Sequence, residues 1–177
     1  MSIYIALGGN LPARYHGKTL AVEQTFTAAM AGLEMRGIQT VRNSALWQSP
    51  AWPNPDAQPA YINAVAEIET DLTPYTLLSA LKDTEIEFGR QPSVRNAARP
   101  LDLDILDYNG QILQTPKLTL PHARMTGRAF VLFPLMEIAP DWHDPIKNRA
   151  AHDWTARLSF CDVASLTRIG FTSAYRQ

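Results

Sequence analysis

Arg99-Pro100-Leu101-Asp102-Leu103-Asp104-Ile105-Leu106 sets two carboxylates two residues apart inside an apolar run. Leu101, Leu103 and Ile105 alternate with them at the period of a strand. The apolar side chains then face a core, and Asp102 and Asp104 share the opposite face. Alternate side chains on one strand face stand roughly 6–7 Å apart. That spacing does not help folding, because like charges side by side repel and aspartate is depleted in strands. It suits two carboxylates that grip one or two hard cations. A divalent ion is the simplest partner, and Arg99 just before the pair points to a ligand with further negative charge.

The segments before the dyad supply more polar chemistry. Arg90 to Arg99 carries Arg90, Arg95 and Arg99 and no acid. An all-basic loop beside paired aspartates reads as an anion-binding loop. A helix precedes it, opened by Thr73 as N-cap and Pro74 at its first position. Leu77, Leu78, Leu81 and Phe88 form its buried stripe, and Gly89 ends it. Glu85 falls on that stripe, whereas Glu87 does not. An acid on a buried face costs several kcal/mol unless it is paired or bound. Glu85 is therefore either an edge-of-stripe acid that reaches water or a carboxylate aimed into a polar site.

Further towards the N-terminus, Tyr61 to Glu69 reads as a strand. Ile62, Ala64, Ala66 and Ile68 form its core face. Tyr61, Asn63, Val65 and Glu67 form the other, which suits a site wall. Gln48 to Asp56 holds three prolines in nine residues, an exposed loop that cannot join a sheet ladder. Ile38 to Leu46 is a strand and Thr19 to Leu33 a helix. Ile3 to Leu7 is a short apolar strand, broken by Gly8-Gly9-Asn10-Leu11-Pro12.

Beyond the dyad, Tyr108-Asn109-Gly110-Gln111 reads as a turn, plausible for a hairpin. Leu118 to His122 is extended. Arg128 to Ile138 is a helix with Pro134 at or near a kink. His152 to Phe160 fits a short helix, and the last dozen residues read as peripheral.

The chain has 177 residues, 46% hydrophobic and 19% charged, with a net charge of -1. These values fit one domain, residues 1–177. The charge gives no field that would draw nucleic acid. Twelve of the sixteen basic residues are arginine, which suits bidentate contact with phosphate and also follows from genome composition. A single cysteine, Cys161, excludes an internal disulfide framework. No stretch approaches the roughly 18–20 apolar residues of a membrane helix. The expectation is a cytoplasmic protein, monomeric, with small-molecule substrates and neither nucleic acid nor membrane as partner.

Together these parts divide the work of a metal-dependent transfer. Asp102 and Asp104 would hold Mg²⁺, and the arginines would neutralise phosphate charge. Trp52, Tyr61 and Phe130 could stack a flat ring, with Asn63 reading its polar edge. There is no P-loop, since Gly8-Gly9-Asn10 is too short and lacks a phosphate lysine. A phosphoryl or nucleotidyl transferase without a P-loop is favoured. A metal-dependent nucleotidyltransferase of another kind and a module that binds a flat ring or a nucleotide without catalysis are the alternatives.

The ordered segments carry a resemblance. Arg99 to Ile105, Leu118-Thr119-Leu120-Pro121-His122, Arg128-Ala129-Phe130-Val131-Leu132 and Glu137-Ile138-Ala139-Pro140 resemble the 6-hydroxymethyl-7,8-dihydropterin pyrophosphokinases of folate biosynthesis. Tyr4 to Leu11 and Gln58 to Ala64 support the likeness, which extends to about Pro140 and so implies that residues 141–177 are a variable C-terminal extension of the domain. It implies an α+β fold with a ferredoxin-like antiparallel sheet of about four core strands and helices on its faces. It implies transfer of the β,γ-pyrophosphoryl group of ATP to the pterin hydroxymethyl oxygen, with AMP released and two Mg²⁺ bridging the triphosphate. Asp102 and Asp104 match the metal ligands, with Asp104 nearest the attacking hydroxyl. Ser49, Pro50, Trp52, Tyr61, Asn63 and Phe130 match pterin-pocket positions, Tyr61 and Phe130 sandwiching the ring. Lys82, Glu85, Arg90, Arg99, His122 and Arg128 match nucleotide-contacting positions. The sequence departs from the family where a Trp-Gly-Pro-Arg run would stand. It has Asn96-Ala97-Ala98-Arg99, and no second arginine follows Arg90 directly.

Overall fold

The computed structural model describes residues 2–52, 55–91 and 97–170. Pro53 and Asn54 of the proline-rich loop, and Arg95 and Asn96 of the arginine loop, lie outside the described residues.

The elements run β1 (Ile3–Gly9), β2 (Ala13–Tyr15), β3 (Lys18–Leu20), α1 (Val22–Glu34), β4 (Gln39–Asn43) and β5 (Leu46–Ser49). Then come β6 (Tyr61–Glu69), α2 (Pro74–Glu87), β7 (Asp102–Tyr108), β8 (Leu113–Gln114) and β9 (Thr119–Leu120). A 3-10 turn (Met125–Gly127), α3 (Ala129–Ile138), β10 (His143–Asp144), β11 (Arg149–Ala150), α4 (Ala151–Thr155), α5 (Phe160–Ala164) and β12 (Thr167–Gly170) follow. The central sheet has the order β12-β5-β6-β1-β7, with β4 also paired to β6, and every pairing in it is antiparallel. This is the α+β antiparallel architecture expected from the sequence.

Two layers cover the sheet. Phe26, Met30 and Leu33 of α1 and Leu77 and Leu81 of α2 pack with Ile5, Leu7, Ala66, Leu103 and Ile105 on one face. On the other face Val131, Leu135 and Ile138 of α3 pack with Tyr4, Val65 and Leu106. β6 is therefore buried on both faces, and the alternation along it separates two cores rather than core from solvent. Thr73 caps α2 as expected, its hydroxyl accepting from Thr76 N–H.

Several boundaries differ from the sequence reading. Gly8 and Gly9 belong to β1 rather than breaking it. An added Cβ on Gly9 would stand 2.5 Å from the Pro100 carbonyl oxygen, so only glycine admits that close approach. The start of the expected first helix is instead the hairpin β2–β3, and α1 begins at Val22. The expected strand to Leu46 is interrupted at Ser44 and Ala45 and continues as β5 to Ser49. The Asn109-Gly110 turn forms, but β8 pairs with β9, not back onto β7. Two short helices replace the one expected near His152; β12 is the exposed outer edge of the sheet, in line with a peripheral position, and residues 171–177 of that expectation lie outside the described residues. No helix among the described residues is long and apolar enough to cross a membrane.

Candidate active site

The strand register aligns the site residues in rows. Trp47 of β5 lies opposite Asn63 of β6, Asn63 opposite Gly8 of β1, and Gly8 opposite Asp102 of β7. In the next row Val65, Ala6 and Asp104 are aligned. Directly opposed residues share a sheet face. Towards its C-terminal end, β1 presents on this face only Ala6 and Gly8, both partly exposed between buried neighbours, with Tyr4 of the same face buried under α3. Ala6 and Gly8 form a low floor between Asn63 on one side and the two aspartates on the other. Two strand spacings separate Asn63 from Asp102, roughly 9–10 Å.

β7 places the acids, and cations surround them. Asp102 Oδ1 accepts from Arg90 Nη1 at 2.7 Å and Arg99 Nη1 at 3.2 Å. Asp104 Oδ1 lies 3.5 Å from Lys82 Nζ, and its Oδ2 lies 4.0 Å from His122 Nε2. Both aspartate side chains are about a third exposed, at 29% and 34%. Burial would raise the Asp104 pKa, but Lys82, His122 and Arg128 together hold it below the usual carboxylate value. Burial lowers the His122 pKa despite Asp104, so the ring is neutral at pH 7. His122 Nδ1 accepts from Arg124 N–H at 3.3 Å, which leaves its proton on Nε2, facing Asp104.

Asp107 is the third acid of β7, and a register shift opposite Tyr4 and Ile5 accompanies it. It is buried, accepting from Trp142 Nε1 and Gly110 N–H at 2.7 Å each. Its role is structural.

Glu85 is 1% exposed and ties α2 to β7. Its Oε1 accepts from Leu103 N–H at 2.7 Å and Lys82 Nζ at 2.8 Å, and its Oε2 pairs with Arg90 Nη1. Burial raises its pKa even against these cations. Gly89, at φ +89°, turns the chain so that Arg90 N–H still bonds the Glu85 carbonyl at 3.0 Å. Helix end, buried acid and arginine are thus one unit.

The aromatic wall is more spread. Tyr61 O–H donates to the Ala97 carbonyl at 3.2 Å, and Arg99 Nε donates to the same oxygen at 3.1 Å. The alanine stretch before Arg99 therefore touches both the arginine and the wall. Burial would lower the Arg99 pKa, but Asp102 and Tyr61 raise it. Asn63 Nδ2 donates to Ser49 Oγ at 3.0 Å and Trp47 O at 3.3 Å. Its Oδ1 stands 3.8 Å from where a Cβ on Gly8 would be, over the floor. Arg128 lies 5.4 Å from the Phe130 ring centroid. Trp52, two residues beyond Pro50, is 72% exposed.

A profile of the 7,8-dihydro-6-hydroxymethylpterin-pyrophosphokinase (HPPK) family matches residues 4–140. The chain belongs to this family. It is 43% identical over 141 residues to the 2-amino-4-hydroxy-6-hydroxymethyldihydropteridine pyrophosphokinase of Haemophilus influenzae, covering 80% of this chain and 83% of the relative. The enzyme of the same description from Pseudomonas aeruginosa is 40% identical over 143 residues, covering 81% and 83%. A mitochondrial folate synthesis bifunctional protein of Pisum sativum is 36% identical over 137 residues, covering 77% of this chain and 25% of the relative.

Lys82, Glu85, Arg90, Arg99, Asp102, Asp104 and His122 converge, and Tyr61, Asn63 and Ser49 line the other end of the same floor. All lie within the HPPK match. Sequence reasoning missed the floor itself and Asn10. The signal for both was the Gly8-Gly9-Asn10 run, which reads as a turn until its pairing partners are known. Trp47 was also missed, because only the register places it in the Asn63 row.

Proposed function

We propose that this chain transfers the pyrophosphoryl group of ATP to the hydroxymethyl group of 6-hydroxymethyl-7,8-dihydropterin, giving AMP and the pterin diphosphate. Family membership supports the reaction class. The observation that carries the reading further is the row Asn63–Gly8–Asp102. It leaves a side-chain-free gap between an amide that reads polar ring edges and a carboxylate pair ringed by cations. With Nδ2 already engaged, Asn63 offers its Oδ1 to a ring N–H. Tyr61 and Phe130 are assigned to the ring faces, with Ser49, Pro50 and Trp52 at the rim.

Asp102 and Asp104 supply hard oxygen donors beside an open floor, which fits Mg²⁺ with phosphate and water as its other ligands. They would hold two such ions. Bound there, Mg²⁺ supplies Lewis-acid polarisation of the phosphate oxygens and neutralises their charge. Asp104, held ionised, is suited to binding a cation and is a poor base for the pterin hydroxyl. That proton leaves to solvent as the hydroxymethyl oxygen bonds the β-phosphorus. The bond from the β-phosphorus to the α,β-bridging oxygen breaks, and AMP departs with that oxygen and the electron pair. Arg90 and Arg99 exchange their contacts with Asp102 for the phosphates, and Lys82, His122 and Arg128 face the nucleotide. The work of the chain is positioning and charge neutralisation. The proposed functional unit is a monomer, as expected from the sequence.

The test is incubation with ATP, Mg²⁺ and 6-hydroxymethyl-7,8-dihydropterin. AMP and pterin diphosphate are expected; ADP alone, or no pterin-dependent turnover, refutes the assignment.

A further inference from the structure

β12 lies beyond residue 140, outside the matched family segment. Its pairing extends the site row by one strand. Arg168 lies opposite Trp47, so the row runs Arg168–Trp47–Asn63–Gly8–Asp102 across five strands. Arg168 therefore stands on the site face of the sheet, roughly 19 Å from Asp102 by strand spacing.

Arg168 is also anchored there. Its Nε donates to Glu137 Oε1 at 2.6 Å, and Glu137 Oε2 accepts from Ala45 N–H at 2.7 Å. One α3 carboxylate thus joins the C-terminal strand to the break between β4 and β5. β5 has only four residues, with that break at one end and Pro50 just beyond the other. A short strand with an open edge frays easily. Here β12 closes the outer edge, and Arg168 fixes the end at which β5 starts. Ser165 and Thr167 of the extension share a cleft of about 310 Å³ with Gln48, Ser49, Pro50 and Ala60. The extension therefore backs the same Ser49 whose hydroxyl accepts from Asn63.

We infer that Arg168 is a positioning residue for the pterin wall, acting through Glu137 and Trp47 on Ser49 and Asn63. The inference rests on the pyrophosphokinase reading for the identity of the ligand. It predicts an effect on the pterin side of the floor and none on the nucleotide side.

The test compares wild type, Arg168→Ala and Arg168→Lys in the full chain. Amide exchange is followed at Trp47–Ser49 without substrates. Binding of 6-hydroxymethyl-7,8-dihydropterin and of a non-hydrolysable ATP analogue is then titrated with Mg²⁺. Arg168→Ala is expected to speed exchange at these amides about tenfold and to weaken pterin binding about 3–10-fold. ATP-analogue binding and kcat should stay within about twofold, and Arg168→Lys, which keeps the charge for Glu137, should restore most of the loss. Unchanged exchange overturns the inference. So does faster exchange with unchanged pterin binding, or equal weakening of both ligands. If the wild type makes no AMP, the pyrophosphokinase reading falls. In that case amide exchange at Trp47–Ser49, compared between wild type and Arg168→Ala without substrates, still decides whether Arg168 positions this wall.

Discussion

Asn10 grips Arg99 through its side chain and its backbone together. Its Oδ1 accepts from Arg99 N–H at 2.8 Å, and its own N–H donates to the Arg99 carbonyl at 3.0 Å. The other half of the same amide, Nδ2, donates to the Pro59 carbonyl at 3.0 Å. Asn10 is 5% exposed. It thus joins the arginine that pairs with Asp102 to the segment that leads into Tyr61. Asn10→Ala leaves Arg99 N–H and the Pro59 carbonyl without these partners, a loss of about 1–3 kcal/mol. Asn10→Asp keeps the acceptor but places a carboxylate against Pro59 O. Both variants should lower kcat/KM by about 10–100-fold, with Asp no better than Ala. Steady-state kinetics beside thermal melts check this; a fully active Asn10→Ala refutes the coupling.

Asp104 stands in the row next to the one that holds Asn63 and Asp102. Asp104→Ala removes one proposed metal ligand while leaving the Asn63 end of the floor untouched. Turnover should fall by at least about 10³-fold, with pterin binding within a few-fold of wild type. Equal loss of both would mean that the two ends of the floor are not separable.

Glu85 distinguishes a lost charge from a lost acceptor. Glu85→Gln can still accept from Leu103 N–H but no longer balances Lys82 and Arg90. Glu85→Ala also strands the buried Leu103 donor. Both cations are partly exposed, so the charge contribution is screened. The Ala variant should therefore be less stable than Gln by about 1–3 kcal/mol, read from denaturant midpoints at constant m. Equal stability would mean that the Leu103 bond contributes nothing.

His122 and Asp104 give the apoprotein a stability that declines in acid. The folded pKa of His122 lies below 6.5, so the unfolded chain takes up the proton first as pH falls. Its contribution is present above pH 6.5 and is lost as pH drops through the folded value. Asp104, also depressed, contributes above pH 3.8 and loses that below it. Metal-free melts of wild type and His122→Asn should keep a constant Tm difference from pH 7 to 9. The wild type should then lose ground below pH 6.5. Parallel curves over the whole range would refute the His122 assignment.

Local chemistry made the acids legible, and pairing hid the rest. Asp102, Asp104, Arg90, Arg99 and the inward Glu85 each break a local rule of strand, loop or helix composition. A rule broken without compensation points to a site. Ala6 and Trp47 break none and Gly8 reads as a turn, so only the register shows that they share a row with Asn63 or the aspartates. β6 is half legible for a related reason. Alternation reveals that two faces differ, but not that α3 buries the second one. The β2–β3 hairpin rests on the His16-Gly17 turn, with φ of +46° and +75°, beside a segment whose apolar spacing also fits a helix. β12 carries no apolar stripe, because its contribution is an edge and an ion pair.

The two neighbouring glycines of β1 should respond to substitution in opposite ways. At Gly9 an added methyl meets the Pro100 carbonyl oxygen at 2.5 Å, so the backbone before Leu101 must move. Gly9→Ala should cost about 1–3 kcal/mol, a fall in Tm of about 2–12 °C for a chain of this size. At Gly8 the nearest atoms to an added Cβ are Asn63 Oδ1 at 3.8 Å and Asp102 Cβ at 3.9 Å, ordinary contact distances. Gly8→Ala should fold with nearly unchanged Tm. Its methyl, however, stands on the floor between the proposed pterin and phosphate ends. Larger side chains occupy more of that space, so KM for the pterin should rise from Gly8→Ala to Gly8→Val, by about tenfold or more in the latter. Melting curves and pterin titrations of the three variants separate the two effects. A stable Gly8→Val protein with wild-type pterin affinity would show that the ligand does not cross the floor between Asn63 and Asp102.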